Sequence, residues 1–200
     1  DFDLTHYYYN ENWQVLEERW HPATSSEDQH PKAQYVYHPY YIDGIAVRYY
    51  DANVNNDLTE NNDGTHYYVQ DANFNVTAIT DDTGTVLERH AYTPYGEVTV
   101  LDPDFTPDSG NQTDIGNEYL YTGRRLDPES GLQLNRHRFY HQPLGQWVSR
   151  DPIGYEGSQW NLYEYVSGQP LVAIDASGLA GSPTNCQRCL CILNHSKSEC

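Results

Sequence analysis

The 200-residue sequence has no methionine, only four cysteines and few basic residues. Because a primary translation product begins with Met, we expect the chain that starts at Asp1 to be a fragment or a processed product. Its 11 Lys and Arg residues stand against 29 Asp and Glu residues, so the formal net charge is −18 at pH 7. A surface this acidic repels nucleic acid and anionic membranes, and we expect neither as a partner.

Long apolar runs are also missing. No stretch approaches the roughly 20 apolar residues of a transmembrane helix, so no membrane span is predicted. Helix patterns are scarce, and the best of them, WQVLEERW at residues 13–20, is short enough to be a strand instead. Residues 154–157, GYEG, lack the lysine and the helix that a phosphate-binding loop needs. We therefore predict no cofactor outside the C-terminal tail.

Tyrosine dominates the aromatic residues, with 19 copies against four phenylalanines. Its ring is apolar and its hydroxyl is polar, so it suits half-buried strands whose tips meet water or a neighbouring strand. Eleven prolines and 14 glycines divide the chain into short runs that are typical of strands joined by turns. The composition predicts an all-β fold.

Three segments share one order of features, at residues 6–19, 35–51 and 66–98. Each opens on a tyrosine-rich strand, turns through Asn, Asp or Gly, and returns through an apolar strand. The clearest hairpin is VTAITDDTGTVLERHAY at residues 76–92, where DDTG supplies the turn and Gly84 is available for a positive φ. Repeated hairpins predict a stacked or spiralling sheet, with a plain β-sandwich as the alternative.

Residues 101–117, LDPDFTPDSGNQTDIGN, are rich in Asp, Pro, Gly, Asn and Thr and predict an exposed loop. The loop separates the tyrosine-rich repeats from a segment of different character that begins at Glu118. The sequence therefore divides into a repeat region at residues 1–117, a second segment at residues 118–179, and a tail at residues 180–200.

The second segment carries six motifs in a characteristic order: YTG, DPESGL, RFY, LGQWVSRDPIG, NLYEYV and IDASGL. In this order and at this spacing, residues 119–179 resemble the RHS repeat-associated core domain. The upstream segments resemble YD repeats, down to the AYTPYGEV stretch at residues 91–98. The resemblance covers roughly residues 1–179 and is strongest from 119 to 179.

This resemblance implies a fold and a function. RHS and YD-repeat proteins build a spiralling β-sheet that closes into a hollow shell, and in polymorphic toxins and the C subunits of Tc insecticidal toxins the shell encloses a C-terminal toxin. The core domain plugs one end of the shell and in many members cuts the chain just after a DPxGL-like motif. That cut maps to the bond between Leu179 and Ala180, where the cargo would begin. The implied partners are this cargo and the rest of the shell upstream, and the implied location is secreted or at the bacterial cell surface.

The residues suited to such a cut are acidic. Two neighbouring carboxylates can hydrolyse a peptide bond by sharing a proton, because one then activates water while the other donates to the substrate. Asp151 and Asp175 flank the core segment and are the expected catalytic pair, with Arg150 expected to hold an aspartate or stabilise an oxyanion. Against this, Asp before Pro commonly opens a turn, as the pairs at residues 102–103 and 127–128 illustrate.

The sequence departs from the family pattern near the expected cut. The chain reads GQP at residues 168–170 where the family often reads NNP, and DASGL at residues 175–179 where it often reads DPxGL. Losing that proline removes a rigid φ from the segment that presents the bond.

A basic cluster, NRHRFYH, lies at residues 135–141. It predicts internal pairing with the many acids, with a ligand site as the alternative.

The tail holds every cysteine of the chain. A Cys-x-x-Cys spacing beside a histidine fits a tetrahedral zinc site, whereas disulfides are an equal alternative for an exported protein and an unstructured remnant is a third. At 21 residues the tail is too short for a typical enzymatic toxin. The expected zinc ligands are Cys186, Cys189, Cys191, His195 and Cys200.

Two functions follow from these observations. The first is a self-processing shell protein whose core is an aspartyl-type endopeptidase acting only in cis. The alternative is a non-catalytic secreted or cell-surface scaffold or adhesion protein, in which the core is a structural plug. The altered DASGL motif and the short tail favour the alternative.

Overall fold

The computed structural model describes residues 4–21, 23, 30–51, 64–157 and 160–183. In this part of the chain every helix is a three-residue 3-10 turn, and the remaining regular structure is antiparallel β-strand. The all-β prediction is therefore confirmed. The ambiguous stretch at residues 13–20 contributes to a strand, as its short length allowed.

The chain forms two compact units, one of residues 1–69 with 78–87 and the other of residues 70–77 with 88–200. The second unit contains residues from both sides of the division that the sequence predicts between residues 117 and 118. That predicted division separates types of sequence, and it stays a prediction.

The first unit is built on an antiparallel meander. Each strand pairs with the next one along the chain, as expected for consecutive hairpins. The strands are β1 (Leu4–Tyr9), β2 (Val15–His21), β3 (His30–Tyr37), β4 (Ile45–Tyr50) and β5 (Gly64–Gln70), the last residue of which belongs to the second unit.

One face of this meander buries polar side chains. Tyr35, Arg48 and His66 lie opposite one another on β3, β4 and β5 and are all buried. Arg48 Nη2 lies 2.7 Å from His66 Nδ1, and the Tyr35 hydroxyl donates to Glu18 Oε1 at 2.8 Å. The Tyr35 hydroxyl thus meets a neighbouring strand, as the composition predicts, and hydrogen-bonds a buried carboxylate there.

The predicted hairpin at residues 76–92 contains β6 (Val76–Thr80) and β7 (Val86–Tyr92), each of which contributes residues to both units. Its turn closes through two backbone hydrogen bonds, from Asp81 N to Thr85 O at 3.0 Å and from Gly84 N to Asp81 O at 3.1 Å. Gly84 has a φ of +84°, which confirms the turn position assigned from the sequence.

The last strand of this sheet is β8 (Val98–Leu101), which pairs antiparallel with residues 89–92 of β7. Residues after β8 form the predicted exposed loop. Within it, Thr106 donates to Asp104 and the backbone amides of Gly110 and Gln112 donate to Asp108. These hydrogen bonds hold the pKa of both carboxyls below its usual value, led by Thr106 for Asp104 and by Gln112 for Asp108.

Downstream strands are short. A four-stranded sheet has the order β12-β11-β10-β9, and a separate two-stranded pair follows. The strands are β9 (Leu126–Asp127), β10 (Leu132–Asn135), β11 (Arg138–His141), β12 (Gln146–Trp147), β13 (Ala173–Ile174) and β14 (Ser182–Pro183). The 3-10 turns between them are Tyr121–Gly123, Gln142–Leu144, Gly154–Glu156 and Val166–Gly168.

Aromatic rings form the core of the second unit. Tyr121, Tyr140, Trp147, Tyr165 and Val166 pack as one buried cluster. The Tyr140 and Tyr165 ring centroids are 4.3 Å apart, and Trp147 lies 5.5 Å from each of them. Since each well-placed aromatic pair contributes about 0.5–1.5 kcal/mol beyond its buried area, this cluster is a rigid support for the loops around it.

The buried tyrosines predict a loss of stability in alkali. Burial raises the pKa of Tyr121 and Tyr140 above the ordinary value of a phenol, about 10. Because the folded pKa exceeds the unfolded one, this stabilisation is complete below about pH 10 and is lost as the pH rises further. Urea unfolding followed by circular dichroism should therefore give a free energy of unfolding that falls above about pH 10.

The Tyr140→Phe variant has no phenol at this position and should show a shallower alkaline decline. Tyr40, which is 80% exposed, supplies the matched control, and Tyr40→Phe should decline like the wild type. Parallel curves for wild type and Tyr140→Phe would contradict the assignment.

Candidate functional site

Two aspartates and one arginine meet in the second unit. Arg138 begins β11, Asp151 follows β12, and Asp175 directly follows β13. Arg138 Nη2 lies 2.9 Å from Asp151 Oδ2 and 3.5 Å from Asp175 Oδ2. The three side chains are 2–3% exposed. The structure thus brings together Asp151 and Asp175, the two aspartates expected from the sequence, although they are 24 positions apart.

Asp175 holds the turn that leads to the expected cut. Its Oδ1 accepts hydrogen bonds from Ser177 Oγ at 2.9 Å, Gly178 N at 2.8 Å and Leu179 N at 3.2 Å. This capping turn forms without the proline that the family often has at the second position of the motif. Gly178 has a φ of +75°, a conformation that favours glycine.

The same turn is tied to β10 and β11. Asn135 Nδ2 donates to Asp175 O at 2.8 Å, and Arg138 Nε donates to the carbonyl oxygen of Gly178. Arg136 Nη1 donates to Ala176 O at 2.5 Å. The backbone before the expected cut is therefore held at several successive carbonyls, which leaves it little freedom.

Asp151 lies beside the expected scissile bond. Its Oδ1 accepts from Ile153 N at 3.0 Å, which is the ordinary turn role of an aspartate before proline. A Cβ placed on Gly157 would lie closer than 3.0 Å to both Asp151 Oδ2 and the carbonyl oxygen of Leu179. The carboxylate and the carbonyl therefore share one narrow space, which only glycine leaves open.

A cavity of about 390 Å³ contains this space. Its lining includes both aspartates, Arg138, and the chain from Leu179 to Gly181. Glu156 and Glu164 add two further carboxylates. The cavity is polar and large enough to hold water beside the expected bond.

Arg138 provides the positive charge of the site. Its guanidinium carbon lies 4.1 Å from the Trp147 ring centroid, so the aromatic core fixes the cation in place. Burial lowers the pKa of Arg138 below its ordinary value, and the charges of Asp151 and Asp175 offset part of that shift. An arginine stays protonated under such conditions, so two carboxylates surround one cation.

The position of Arg138 alters the chemistry expected from the sequence. Arg138 contacts both carboxylates, so a cation lies beside the two groups that the sequence expects to share a proton. Arg150, the cation expected from the sequence, is exposed at the surface. The signal for Arg138 was the basic cluster at residues 135–141, for which the sequence predicted internal pairing with acids.

The expected zinc ligands lie outside the described residues. Cys186, Cys189, Cys191, His195 and Cys200 all follow Pro183, the last residue that the structure describes. The zinc site and its disulfide alternative stay predictions.

The two arginines give a direct test of this arrangement. Arg138→Met removes the cation from two buried carboxylates and should lower the free energy of unfolding by about 3–5 kcal/mol. Arg150→Met, the same change at an exposed position, should stay within about 0.5 kcal/mol of the wild type. Urea unfolding at pH 7 measures both, and equal losses for the two variants would refute the buried triad.

Comparison with protein families gives a match of residues 43–170 to the Teneurin YD-shell family. The match covers more than half of the chain and includes the aromatic core, Arg138 and Asp151. Among the described residues, none of the helices has the length and apolar character needed to cross a membrane.

Two curated relatives and one solved structure extend this match. The double-stranded DNA deaminase toxin A of Burkholderia cenocepacia (strain H111) is 32% identical over 104 residues, which are 52% of this chain and 7% of the toxin. The tRNA nuclease WapA of Bacillus subtilis (strain 168) is 30% identical over 116 residues, which are 56% of this chain and 5% of the nuclease. The crystal structure of TcdB2-TccC3-TEV matches 88% of this chain and 10% of its own, with a TM-score of 0.52 and 16% identity, which shows a common fold.

Proposed function

Since the chain belongs to the Teneurin YD-shell family, we propose that it is part of an RHS-type shell that encloses a C-terminal cargo and cuts its own chain after Leu179. The chain spans 7% and 5% of the two curated relatives, so the activity of the whole protein is part of this proposal. A secreted or bacterial cell-surface location follows from the same proposal.

The relatives support a shell whose role does not depend on the cargo. One is named as a DNA deaminase toxin and the other as a tRNA nuclease, two different chemistries, yet both resemble this chain over about half of its length. Resemblance of both to one chain is best explained by a task that both share. Holding a cargo is such a task, and the cargo itself is the expected partner, together with the rest of the shell upstream.

One observation carries the cutting activity: the Leu179 carbonyl oxygen shares a narrow space with the Asp151 carboxylate, beside a polar cavity. In the proposed step, Asp151 takes a proton from a water molecule whose oxygen bonds to the Leu179 carbonyl carbon. The bond from that carbon to the Ala180 nitrogen then breaks, and the nitrogen receives the proton. The products are a carboxylate at Leu179 and an amine at Ala180.

The other two members of the site position the bond. Asp175 uses its Oδ1 to hold the turn at residues 177–179, and Arg138 binds the Gly178 carbonyl. Fixing the carbonyl near its base contributes to the rate because the reacting groups need no further ordering. In this proposal Asp151 is the reacting carboxylate, whereas Asp175 and Arg138 are positioning residues.

The test is the intact mass of the purified full chain during storage at 25 °C, beside the Asp151→Asn variant. We expect a break after Leu179 in the wild type and a loss of at least about a hundredfold in its rate in the variant, the range for a lost general base. The matched control is Asp127→Asn, which changes another aspartate before a proline, half-buried in a turn with Ser130. It should cut like the wild type.

The alternative, a non-catalytic plug, is favoured by the contacts of Asp175. That carboxylate already accepts three hydrogen bonds on one oxygen and contacts Arg138 with the other, as a structural residue does. Two uncut masses would support this alternative and remove the cutting activity from the proposal.

A further inference from the structure

Gly181, two positions after the expected cut, lies against the buried residue Val166. A Cβ on Gly181 would lie 3.0 Å from Val166 Cγ1 and 3.3 Å from both Cα and Cβ of Val166. These distances are tighter than ordinary packing contacts, so a side chain at this position requires that Val166 or the chain move. Gly178, on the other side of the bond, differs because its left-handed backbone disfavours any side chain.

Val166 has little room to move. It is buried in the aromatic cluster with Tyr140, Trp147 and Tyr165. Its backbone has a φ of +42°, which is a costly conformation for a β-branched residue and is fixed by the 3-10 turn at Val166–Gly168. Val166 is therefore held in place. A side chain at position 181 would displace residue 181 rather than Val166.

Strand pairing also fixes the chain directly after Gly181. The next residues, Ser182 and Pro183, form β14 and pair with Ile174 and Ala173 of β13. The chain that follows the bond therefore cannot swing away from Val166 without breaking this pairing. Moving Gly181 also moves Ala180 and, through it, the carbonyl beside Asp151.

We propose that Val166 determines specificity for the self-cleavage, restricting the second position after the cut to glycine. This inference rests on the proposed function and refines its substrate. The cis substrate is then a chain with glycine at this position, and cargoes that begin with a larger residue there are cut slowly. Val166 touches the chain after the bond but none of the reacting atoms, so it is a specificity residue and not a catalytic one.

The test is a double-mutant cycle in the full chain, with the fraction cut followed by intact mass. Gly181→Ala should slow the cut by about tenfold, since overpacking must be relieved by a shift of the chain. Val166→Ala removes the nearest atom, Cγ1, but keeps Cα and Cβ at 3.3 Å, so adding it to Gly181→Ala should restore part of the lost rate. The matched control is Gly110→Ala, in an exposed turn where the nearest atom to a Cβ is 3.4 Å away, and it should be cut like the wild type.

A second variant keeps Val166 in place. Gly181→Val carries a larger side chain and should be cut more slowly than Gly181→Ala. Cutting of Gly181→Ala at the wild-type rate, or a double variant as slow as Gly181→Ala, would overturn the inference.

An uncut wild type would contradict the proposed self-cleavage. The contact between Val166 and residue 181 could still be tested. In that case hydrogen–deuterium exchange at Ala180, Gly181 and Ser182 reports how firmly the chain is held. A faster exchange rate in Gly181→Ala, lowered again by adding Val166→Ala, would support a tight contact between Val166 and residue 181. Unchanged exchange in Gly181→Ala would overturn it.

Discussion

The contact of one guanidinium with two buried carboxylates is the constraint on which the candidate site depends. Asp151 and Asp175 come from loops that are far apart in the chain, and each would be costly to bury alone. Arg138 compensates both charges and, through its Nε, also holds the carbonyl of Gly178. The positions of the two loops are thus coupled through one side chain, and the bond after Leu179 follows from them.

The aromatic core explains why that side chain stays in place. Arg138 lies over Trp147, and Trp147 packs on Tyr140 and Tyr165. The same cluster includes Val166, whose backbone borders the chain after the bond. Both sides of the expected cut are therefore supported by one packed group of rings. A rigid support of this kind suits the proposed cut, because reacting groups held in place need no further ordering.

The described acidic residues fall into two groups, one in loops and one in the interior. Among the described residues, carboxylates such as Asp104 and Asp108 accept hydrogen bonds from their own loop. Buried acids, by contrast, have specific partners: Glu18 accepts from Tyr35 on the next strand, and Glu88 Oε1 lies 2.8 Å from His90 Nε2 on its own strand. The acidic residues of this chain therefore include a small number of buried carboxylates with specific partners.

The sequence by itself determined the strand-rich fold, the hairpin turn at Gly84, the exposed loop after β8 and the pair Asp151 and Asp175. These features depend on local chemistry: tyrosine and turn residues set strands and hairpins within a few positions, and the DPIG and DASGL motifs mark the aspartates. Only the tertiary structure decided which cation contacts the two aspartates. Arg150 is adjacent to Asp151 in the chain but exposed, whereas Arg138 contacts both aspartates from the start of β11. It also decided that Val166 borders Gly181, since a contact between residues 15 positions apart depends on packing that no local pattern encodes.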